Sequence, residues 1–452
     1  MHPLEYDPSR RPDRVRGQAM NETAVLAASH PHEVRALHAE RYGDSTRPLD
    51  ELVRMEDPAF YVNPWPVYSR LQREAPVHYQ RSLNTWVVTR YDDVRAVART
   101  PGIFSSAHGT LMLDGVRSGA GKQDLFAGGA DFIGVTDPPR HAELRRVMTP
   151  PFTPPSLAAL EPRLIEAADR LLDGIEAGTV FEWVEGVAAR LPVLAIALIL
   201  GIDPADQEFP LRARRWSNIV EDLAGKGLSL EEMAAARSVF VELDQFILAL
   251  FDERRRAPGG DFLSSLLADS LDGRRLTEAN LIGFTQALIA AGNDTVRSLL
   301  SNLVALLAAR PDQYALLRQR PELAPAAVEE TLRFSPPARG FARQVVQDTV
   351  LCGQQLRAGQ RVLMAFDAAN RDPSVFADPH VFDLARARER RNVAFGFGAH
   401  VCIAAPLARL EARILLEALC QRFSRIELAG PGEGVESFLR NGWQSLPVRL
   451  MA

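Results

Sequence analysis

Residues 395–402 read Phe-Gly-Phe-Gly-Ala-His-Val-Cys and place a single cysteine directly after a glycine-rich loop. The apolar pattern that follows predicts a helix from Cys402 to Phe423. Because unpaired amides and the helix dipole favour an anion at a helix start, this position suits a thiolate. An isolated cysteine is more often a small buried hydrophobe. The interpretation of Cys402 therefore depends on its neighbours.

The loop closely resembles the cysteine loop of the cytochrome P450 family, whose pattern is Phe-Gly-x-Gly-x-His-x-Cys-x-Gly. Only the last position differs, because Ala404 stands where the family has glycine. The resemblance implies that Cys402 is the axial ligand of a haem b iron, a ligation that favours cleavage of the O–O bond. It also implies that Phe395 contacts the haem. The methyl group of Ala404 predicts slightly altered packing without loss of haem.

A long helix is predicted from Thr277, which can cap it, to Arg310, which precedes Pro311. At ~1.5 Å per residue this helix is about 50 Å long, enough to traverse a domain. Glu278 lies in its electropositive first turn.

Midway along this helix, residues 291–295 read Ala-Gly-Asn-Asp-Thr. Alone, such a segment is more often a polar helix face than a proton path. Here it resembles the oxygen-binding groove of the same family. The resemblance implies that Gly292 opens space near the iron and that Asp294 and Thr295 deliver protons.

Glu330 and Arg333 are three residues apart and therefore share one helix face. An exposed pair of this kind contributes under ~1 kcal/mol. The resemblance implies instead a buried pair that is joined by Arg386 from a later segment. We expect these three residues to support the cysteine loop.

Four further positions resemble the groups that hold the haem propionates in the family, namely His141, Arg145, Arg343 and His400. Arginine and imidazole donors suit two carboxylates. His141 and Arg145 are four residues apart in a helix predicted to begin at Pro138 and Pro139, so they share a face. Each residue alone would be a solvated surface charge, whereas the set predicts propionate binding.

Glycines recur between Pro101 and Val135 without apolar periodicity, which predicts a long loop, either a lid or a tolerated surface loop. We expect its part from Leu111 to Phe132 to line the substrate pocket. Mainly apolar residues complete the predicted pocket, at Phe284, Leu288, Ala291 and Leu439. Arg339 is the exception: pointing inward it would hold a carboxylate, and otherwise it would face solvent or a propionate.

The composition is that of a globular protein, with 452 residues of which 46% are hydrophobic and 24% charged. The net charge of −5 and the dispersed basic residues predict neither a nucleic-acid partner nor an anionic membrane. The longest aliphatic stretch, Leu191 to Ile202, is shorter than the ~20 residues that cross a bilayer, so we expect a buried helix. Three cysteines without a CxxC pair exclude a disulfide framework and predict the reducing cytoplasm.

The predicted fold is mainly α with a minor β-sheet. The resemblance covers about Asp57 to Leu450 and implies the cytochrome P450 fold, in which a long central helix and the Cys-bearing helix sandwich the haem. We expect residues 46–452 to form a single catalytic domain and the polar residues 1–45 to be a disordered extension. Shorter elements are predicted from local patterns at Val77–Gln80, Thr85–Thr89, Tyr91–Arg99, Ala324–Phe334, Val345–Val350 and Arg361–Met364.

The motifs together imply a haem-thiolate mono-oxygenase of the soluble bacterial type, acting on a small, mainly hydrophobic molecule by hydroxylation, epoxidation or oxidative dealkylation. No fused reductase is visible in the sequence, so we expect electrons from NAD(P)H through an external ferredoxin and its ferredoxin reductase. Candidate docking contacts on the cysteine side of the haem are Arg145, Arg146, Arg409 and Arg413. Solvated or core-lining arginines account for the same residues equally well.

Three alternatives are weighed against this interpretation. A peroxide-driven or non-oxygenating haem-thiolate enzyme tends to lack the acid–alcohol pair that Asp294 and Thr295 form here. A non-enzymatic haem sensor is disfavoured only weakly, by the same pair and by the lid-like loop. Zinc at Cys402 with His400 and His141 fails because no paired Cys/His spacing is present.

Overall fold

A computed structural model describes residues 32–112, 132–203, 206, 208–225, 230–268, 270–271, 274–386 and 391–452. Helices make up most of this part of the chain. In chain order they are α1 His32–Tyr42, α2 Leu49–Leu52, α3 Trp65–Glu74, α4 Tyr91–Arg99, α5 Arg140–Met148, α6 Pro154–Asp173, α7 Arg190–Leu200, α8 Glu208–Gly225, α9 Leu230–Arg256, α10 Phe262–Ala268, α11 Glu278–Ala309, α12 Pro311–Gln319, α13 Ala324–Phe334, α14 Phe366–Ala369 and α15 Ala405–Arg422.

The strands are short. They are β1 Val77–Gln80, β2 Thr85–Val88, β3 Phe104–Ser105, β4 Val180–Glu182, β5 Ser270–Leu271, β6 Arg274–Arg275, β7 Gly340–Val345, β8 Thr349–Leu351, β9 Gln354–Leu356, β10 Arg361–Ala365, β11 Arg425–Leu428, β12 Glu433–Gly434, β13 Trp443–Ser445 and β14 Pro447–Met451. The largest sheet has the order β1-β2-β10-β7-β3, and a second has the order β11-β14-β4. In the first sheet β10 runs parallel to β2 and antiparallel to β7.

The predicted strand over Val345–Val350 is wrong in its position. Strand β7 ends at Val345, although Val346 still donates its backbone N–H to the carbonyl of Ile103, next to β3, at 2.8 Å. Asp348 then accepts the backbone N–H of Ala358 at 2.9 Å and closes the β8–β9 hairpin. The sequence pattern does not reveal this turn, because the turn depends on the hydrogen bond between the Asp348 side chain and a residue that is distant along the chain.

The long helix α11 begins where the sequence predicts. Thr277 caps it, because the threonine hydroxyl accepts the backbone N–H of Asn280 at 3.2 Å. The helix contacts α7, α8, α9, α13 and α15. Most of its side chains from Val296 to Leu307 are buried in the main core. Helix α11 is therefore a rigid central element that determines the positions of the side chains on its middle turns.

The Cys-bearing helix starts later than predicted. Helix α15 begins at Ala405, with Ala404 at the N-cap position, so Cys402 lies ahead of the helix rather than in its first turn. Pro406 in the first turn suits that start, because a proline there removes no intrahelical hydrogen bond.

The prediction of a disordered extension over residues 1–45 is wrong for its last part. Residues 1–31 lie outside the described residues, but α1 packs on the body of the protein. The Tyr42 hydroxyl donates to Asp57 at 2.7 Å, and its ring meets Phe60 edge-on at 5.6 Å. Burial of one aromatic ring with a satisfied hydroxyl orders this segment.

Helix α7 carries the aliphatic stretch that the sequence predicts to be buried, and its side chains from Leu191 to Val193 and from Ala195 to Ala197 are indeed buried. Gly201 ends it with a left-handed φ of 68°. None of the described helices combines the length and the apolar composition that a bilayer crossing requires. Most of the predicted glycine-rich loop, residues 113–131, lies outside the described residues.

Candidate active site

The cysteine loop is closed by backbone contacts. Cys402 donates its backbone N–H to the carbonyl of Phe395 at 2.9 Å. Gly396 and Gly398 adopt left-handed φ values of 71° and 73°, which favour glycine. A Cβ atom at Gly398 would lie 2.3 Å from the carbonyl oxygen of Ala98, so glycine lets the loop touch the end of α4.

Cys402 combines an accessible surface with dense protein surroundings at its thiol. Burial raises the pKa of the Cys402 thiol, whereas the backbone N–H groups of Ala404 and Ala405 and the charges of Arg145 and Arg409 lower it. A bound cation at the sulfur would supply the stabilisation of the thiolate that these groups supply only in part.

Four residues that are distant in sequence form a basic cluster beside the cysteine loop. The imidazole rings of His141 and His400 lie 4.1 Å apart between centroids. Arg145 donates to the carbonyl of Val401 at 2.7 Å and to that of Ala399 at 3.3 Å. Arg343 completes the basic cluster, since its charge acts on both histidines.

The basic cluster holds more positive charge than negative charge. Burial lowers the pKa of Arg343 to about 10, with Asp137 opposing the shift. Burial and the charge of Arg343 lower the pKa of His400 to about 3. Within the described residues, neither Arg145 nor Arg343 has a carboxylate oxygen within 4.0 Å.

The donor set of the basic cluster fits the propionate groups of a haem. His400 keeps its Nε2 atom buried without a hydrogen-bond partner among the described residues. Buried donors of this kind are normally satisfied, so the atom marks a place for an acceptor. Arginine and imidazole beside an unpaired thiol are the donors that two carboxylates and a thiolate-bound iron need. Across the described chain no three His, Cys, Asp or Glu side chains converge as metal ligands.

The middle of α11 has an accessible face. Ala291 and Thr295 are exposed, whereas the helix residues from Val296 to Leu300 are buried. Ala291 and Thr295 are four apart and lie on one face. The Thr295 hydroxyl donates to the carbonyl of Ala291 at 2.9 Å, which leaves its lone pairs free to accept.

Gly292 has a packing role that the sequence did not indicate. A Cβ atom there would lie 2.9 Å from Cδ1 of Ile196, so the missing side chain makes room for α7. The predicted role of Gly292, to open space near the iron, stays a prediction.

Asp294 lies between two arginines that the sequence analysis missed. Its Oδ1 atom is 3.2 Å from Nη2 of Arg297 and 3.1 Å from Nη1 of Arg440. Arg297 carries a weak local signal, because it lies three residues after Asp294 on the same helix. Arg440 carries no signal in the sequence, since it comes from the chain segment before β13.

Glu330, Arg333 and Arg386 lie together. Arg333 donates to both carboxylate oxygens of Glu330 at 2.8 Å, and both side chains are almost fully buried. Arg386 donates to the same carboxylate at 3.1 Å. Arg333 also donates to the carbonyls of Pro379 and Val381, at 2.8 and 3.0 Å. This network joins α13 to the segment that leads to the cysteine loop.

Phe395 and the predicted docking arginines have ordinary partners. The guanidinium of Arg409 lies 4.5 Å above the Phe395 ring and pairs with Glu329. Arg413 pairs with Glu161 and Glu417. Arg146 is exposed. Arg409 and Arg413 therefore tie helices together in this structure.

The predicted pocket residues separate into two groups. Phe284 and Leu288 are buried in the main core. Arg339 and Leu439 line a cavity whose other walls are mainly apolar. The remaining lining residues of that cavity are Met55, Tyr61, Tyr68, Met112, Gly340, Leu363, Ala365 and Phe438.

Arg339 does not face solvent, as one of its predicted placements required. Its guanidinium stacks over Tyr61 at 4.2 Å and lies 4.0 Å from a carboxylate oxygen of buried Asp367. Burial raises the pKa of Asp367 to about 6, against the charge of Arg339. Since Asp367 already offers Arg339 a carboxylate, the geometry does not favour Arg339 as the holder of a substrate carboxylate.

Comparison with known proteins gives consistent matches. The family model described as Cytochrome P450 matches residues 317–431. Linalool 8-monooxygenase of Pseudomonas putida is 33% identical over 407 residues, which covers 88% of this chain and 98% of that protein. Nocardicin C N-oxygenase of Nocardia uniformis subsp. tsuyamanensis is 38% identical and covers 82% of this chain and 90% of its own length.

A solved structure from Bacillus megaterium, in complex with testosterone, superposes with a TM-score of 0.76. Its sequence is 30% identical to this chain, and the superposed part covers 90% of this chain and 100% of the other chain.

Proposed function

Because the chain belongs to the cytochrome P450 family, we propose that this mono-oxygenase inserts one atom of O2 into a small, mainly hydrophobic organic molecule. One observation carries the proposal. Cys402 is accessible and lies beside the basic cluster of His141, Arg145, Arg343 and His400, which within the described residues has an excess of positive charge.

In this proposal Cys402 is the axial ligand of haem b. His141, Arg145, Arg343 and His400 bind its propionates, and Phe395 packs against it. Haem bound through a thiolate supplies the redox chemistry that activates O2. Glu330, Arg333 and Arg386 keep the cysteine loop in place, since their network connects α13 to the chain that precedes it.

Proton delivery is the task of Asp294 and Thr295. Thr295 is exposed, and its hydroxyl can both donate and accept a hydrogen bond. Asp294 is the adjacent ionisable group, and a carboxylic acid positioned in this way acts as a general acid. The presence of both groups supports reductive activation of O2 over a peroxide-driven reaction.

The proposed substrate class rests on the predicted pocket residues Phe284, Leu288, Ala291 and Leu439, because a mainly apolar pocket with few polar groups favours an apolar ligand. Two relatives fit this class by their names, one a linalool oxygenase and the other a complex with testosterone. Hydroxylation, epoxidation and oxidative dealkylation are all consistent with the same pocket.

Electrons come from NAD(P)H through a ferredoxin and a ferredoxin reductase. A docking site on the cysteine side of the haem would include exposed Arg146 and the accessible edge of Arg409. The enzyme works in the cytoplasm, since all three cysteines are free thiols. Residues 46–452 form its catalytic domain.

The proposal is tested with purified protein supplied with haem. The reduced, carbon-monoxide-treated form should show the red-shifted Soret band of a thiolate ligand. Cys402→Ser should lose this band, whereas Cys420→Ser, a change at another free thiol, should retain it. A Cys402→Ser variant with the unchanged band would refute the assignment of the ligand.

The substrate class is tested separately. Ligands that displace water from the ferric iron are screened by absorbance, and the hits are incubated with a surrogate ferredoxin and reductase. Mono-oxygenated products from apolar hits support the proposal. Ligand binding without turnover across the whole set would favour a haem sensor instead.

A further inference from the structure

The nearest contact of Asp294 with each of two arginines is made at the same carboxylate oxygen, Oδ1. Oδ1 lies within 3.2 Å of Arg297 and 3.1 Å of Arg440. Oδ2 is buried and has no hydrogen-bond partner among the described residues. The three side chains are nearly inaccessible, with 13% of Asp294, 4% of Arg297 and 6% of Arg440 exposed. The two oxygens of one carboxylate therefore have different surroundings.

Arg440 reaches Asp294 from a rigid backbone segment. Its own N–H donates to the Ser437 hydroxyl at 3.0 Å. On either side of it, the Leu439 carbonyl accepts the N–H of Arg339 at 2.7 Å, and the N–H of Asn441 donates to the Pro337 carbonyl at 2.8 Å. These bonds fix the position from which the guanidinium extends.

The same segment lies directly against α11. Asp294, Ser298 and Asn302 are spaced by four residues and form one row along the helix. Asn302 donates its side-chain amide to the Asn441 carbonyl at 3.0 Å. A Cβ atom at Gly442 would lie 3.0 Å from Cα of Ser298, so glycine permits the close approach. Arg440 therefore meets Asp294 because its segment is fastened to the helix that carries Asp294.

The charges explain what this arrangement does. Two guanidinium groups face one carboxylate, so Oδ1 has a strong electrostatic partner on each side. With Oδ1 fixed, the carboxylate group cannot rotate freely. The other oxygen, Oδ2, therefore remains the one without a hydrogen-bond partner among the described residues. Thr295, the next residue, has its hydroxyl at the accessible face of the helix.

We propose that Arg440 is a positioning residue for the mono-oxygenase reaction, which together with Arg297 holds Oδ1 of Asp294 so that Oδ2 is the oxygen that transfers protons. The inference rests on the proposed function of Asp294 in proton delivery. In this proposal Arg440 acts on the reaction through Asp294.

The first test measures proton-dependent turnover without requiring a known substrate. Haem-loaded protein receives electrons from a surrogate ferredoxin and reductase at saturating concentration, and O2 consumption is followed in H2O and D2O. Arg440→Gln and Asp294→Asn should each slow O2 consumption by about tenfold or more and raise the solvent isotope effect. The double variant should be no slower than Asp294→Asn, because the two residues act as one unit. Arg440→Lys, which keeps a cation, should recover part of the rate.

The second test measures the contact itself through stability. Urea midpoints are compared for the wild type, Arg440→Gln, Asp294→Asn and the double variant. The decrease in urea midpoint in the double variant should be smaller than the sum of the decreases in the two single variants. If Arg440→Gln does not load haem, Arg440→Met, which also removes the charge, replaces it in both tests.

The matched control is Arg254→Gln. Arg254 is also a buried arginine, 9% exposed in its side chain, and it pairs with Asp261 at 2.7 Å away from α11. This variant should lower the urea midpoint and leave the rate of O2 consumption and the solvent isotope effect unchanged.

The proposal is overturned if Arg440→Gln behaves like Arg254→Gln, with a lower midpoint and wild-type O2 consumption. It is also overturned if the midpoint losses are simply additive. Failure of the proposed function is a different result, because the reduced carbon monoxide spectrum of the wild type would then lack the thiolate band.

Discussion

The ring centroids of His141 and His400 are 4.1 Å apart, which brings helix α5 against the cysteine loop. Neither ring carries charge at neutral pH, because burial and the neighbouring arginines lower the pKa of His400 to about 3 and also lower that of His141. The two histidines therefore add donors but no charge to the basic cluster. The positive charge of the cluster resides on Arg145 and Arg343.

Arg343→Gln should weaken haem retention. The buried guanidinium would lose a charge-assisted contact with a propionate, which contributes about 1.5–3 kcal/mol, or roughly tenfold or more in affinity. The measurement is the rate of haem transfer to excess apomyoglobin. Arg357→Gln is the control, because Arg357 is exposed and pairs with Asp348; equal rates for both variants would contradict the propionate role.

Thr295→Ala should uncouple cofactor consumption from product formation. The variant removes the hydroxyl at the accessible face of α11, so fewer NADH equivalents end in product and more end in hydrogen peroxide. Thr285→Ala is a close control, since the Thr285 hydroxyl makes the same bond, 2.9 Å to the carbonyl of Leu281, but is buried. Unchanged coupling in Thr295→Ala would count against proton delivery through this residue.

Glu330→Gln should destabilise the protein and impair formation of the thiolate-haem complex. It leaves Arg333 buried without its carboxylate, and breaking a buried pair in this way costs about 3–5 kcal/mol. Urea unfolding and the reduced carbon monoxide spectrum report the two effects. Glu322→Gln, at an exposed pair with Arg320, should leave the unfolding free energy nearly unchanged.

Glu411→Gln should remove a pH dependence of stability. Burial raises the pKa of Glu411 to about 8 from 4.5, and its Oε2 atom lacks a hydrogen-bond partner among the described residues. The unfolded chain releases this proton above pH 4.5, while the folded protein keeps it until about pH 8. The folded state therefore loses stability as the pH rises through this window, by on the order of 5 kcal/mol.

Urea unfolding at pH 5 and pH 8 measures this effect. Glu411→Gln should be more stable than the wild type at pH 8 and similar to it at pH 5. Glu417→Gln is the control on the same helix, since Glu417 pairs with Arg413. If the stability of Glu411→Gln changed with pH as that of the wild type does, the Glu411 carboxyl would not be the source of the pH dependence.

Local patterns predicted several elements with their correct bounds. Helices α4 and α13 begin and end at the predicted residues, because apolar spacing and flanking prolines or turn residues determine both ends locally. The fold class, mainly helical with a minor sheet, is confirmed together with the family. The error at Val346 arose because a contact with a residue distant along the chain marks the end of the strand. The error at the start of α15 arose because a turn of the cysteine loop delays the helix.

By itself, the sequence determined the cysteine loop, the capped start of the long helix and the spacing of Glu330 and Arg333, because each depends on residues that are close along the chain. Only the tertiary structure decided which distant side chains meet them. Arg440 reaches Asp294 because its backbone is hydrogen-bonded to the 335–339 turn and packed on α11. Gly292 faces Ile196 because helix α7 packs against helix α11 at this point. Such contacts follow from the packing of separate elements, and no local periodicity encodes them.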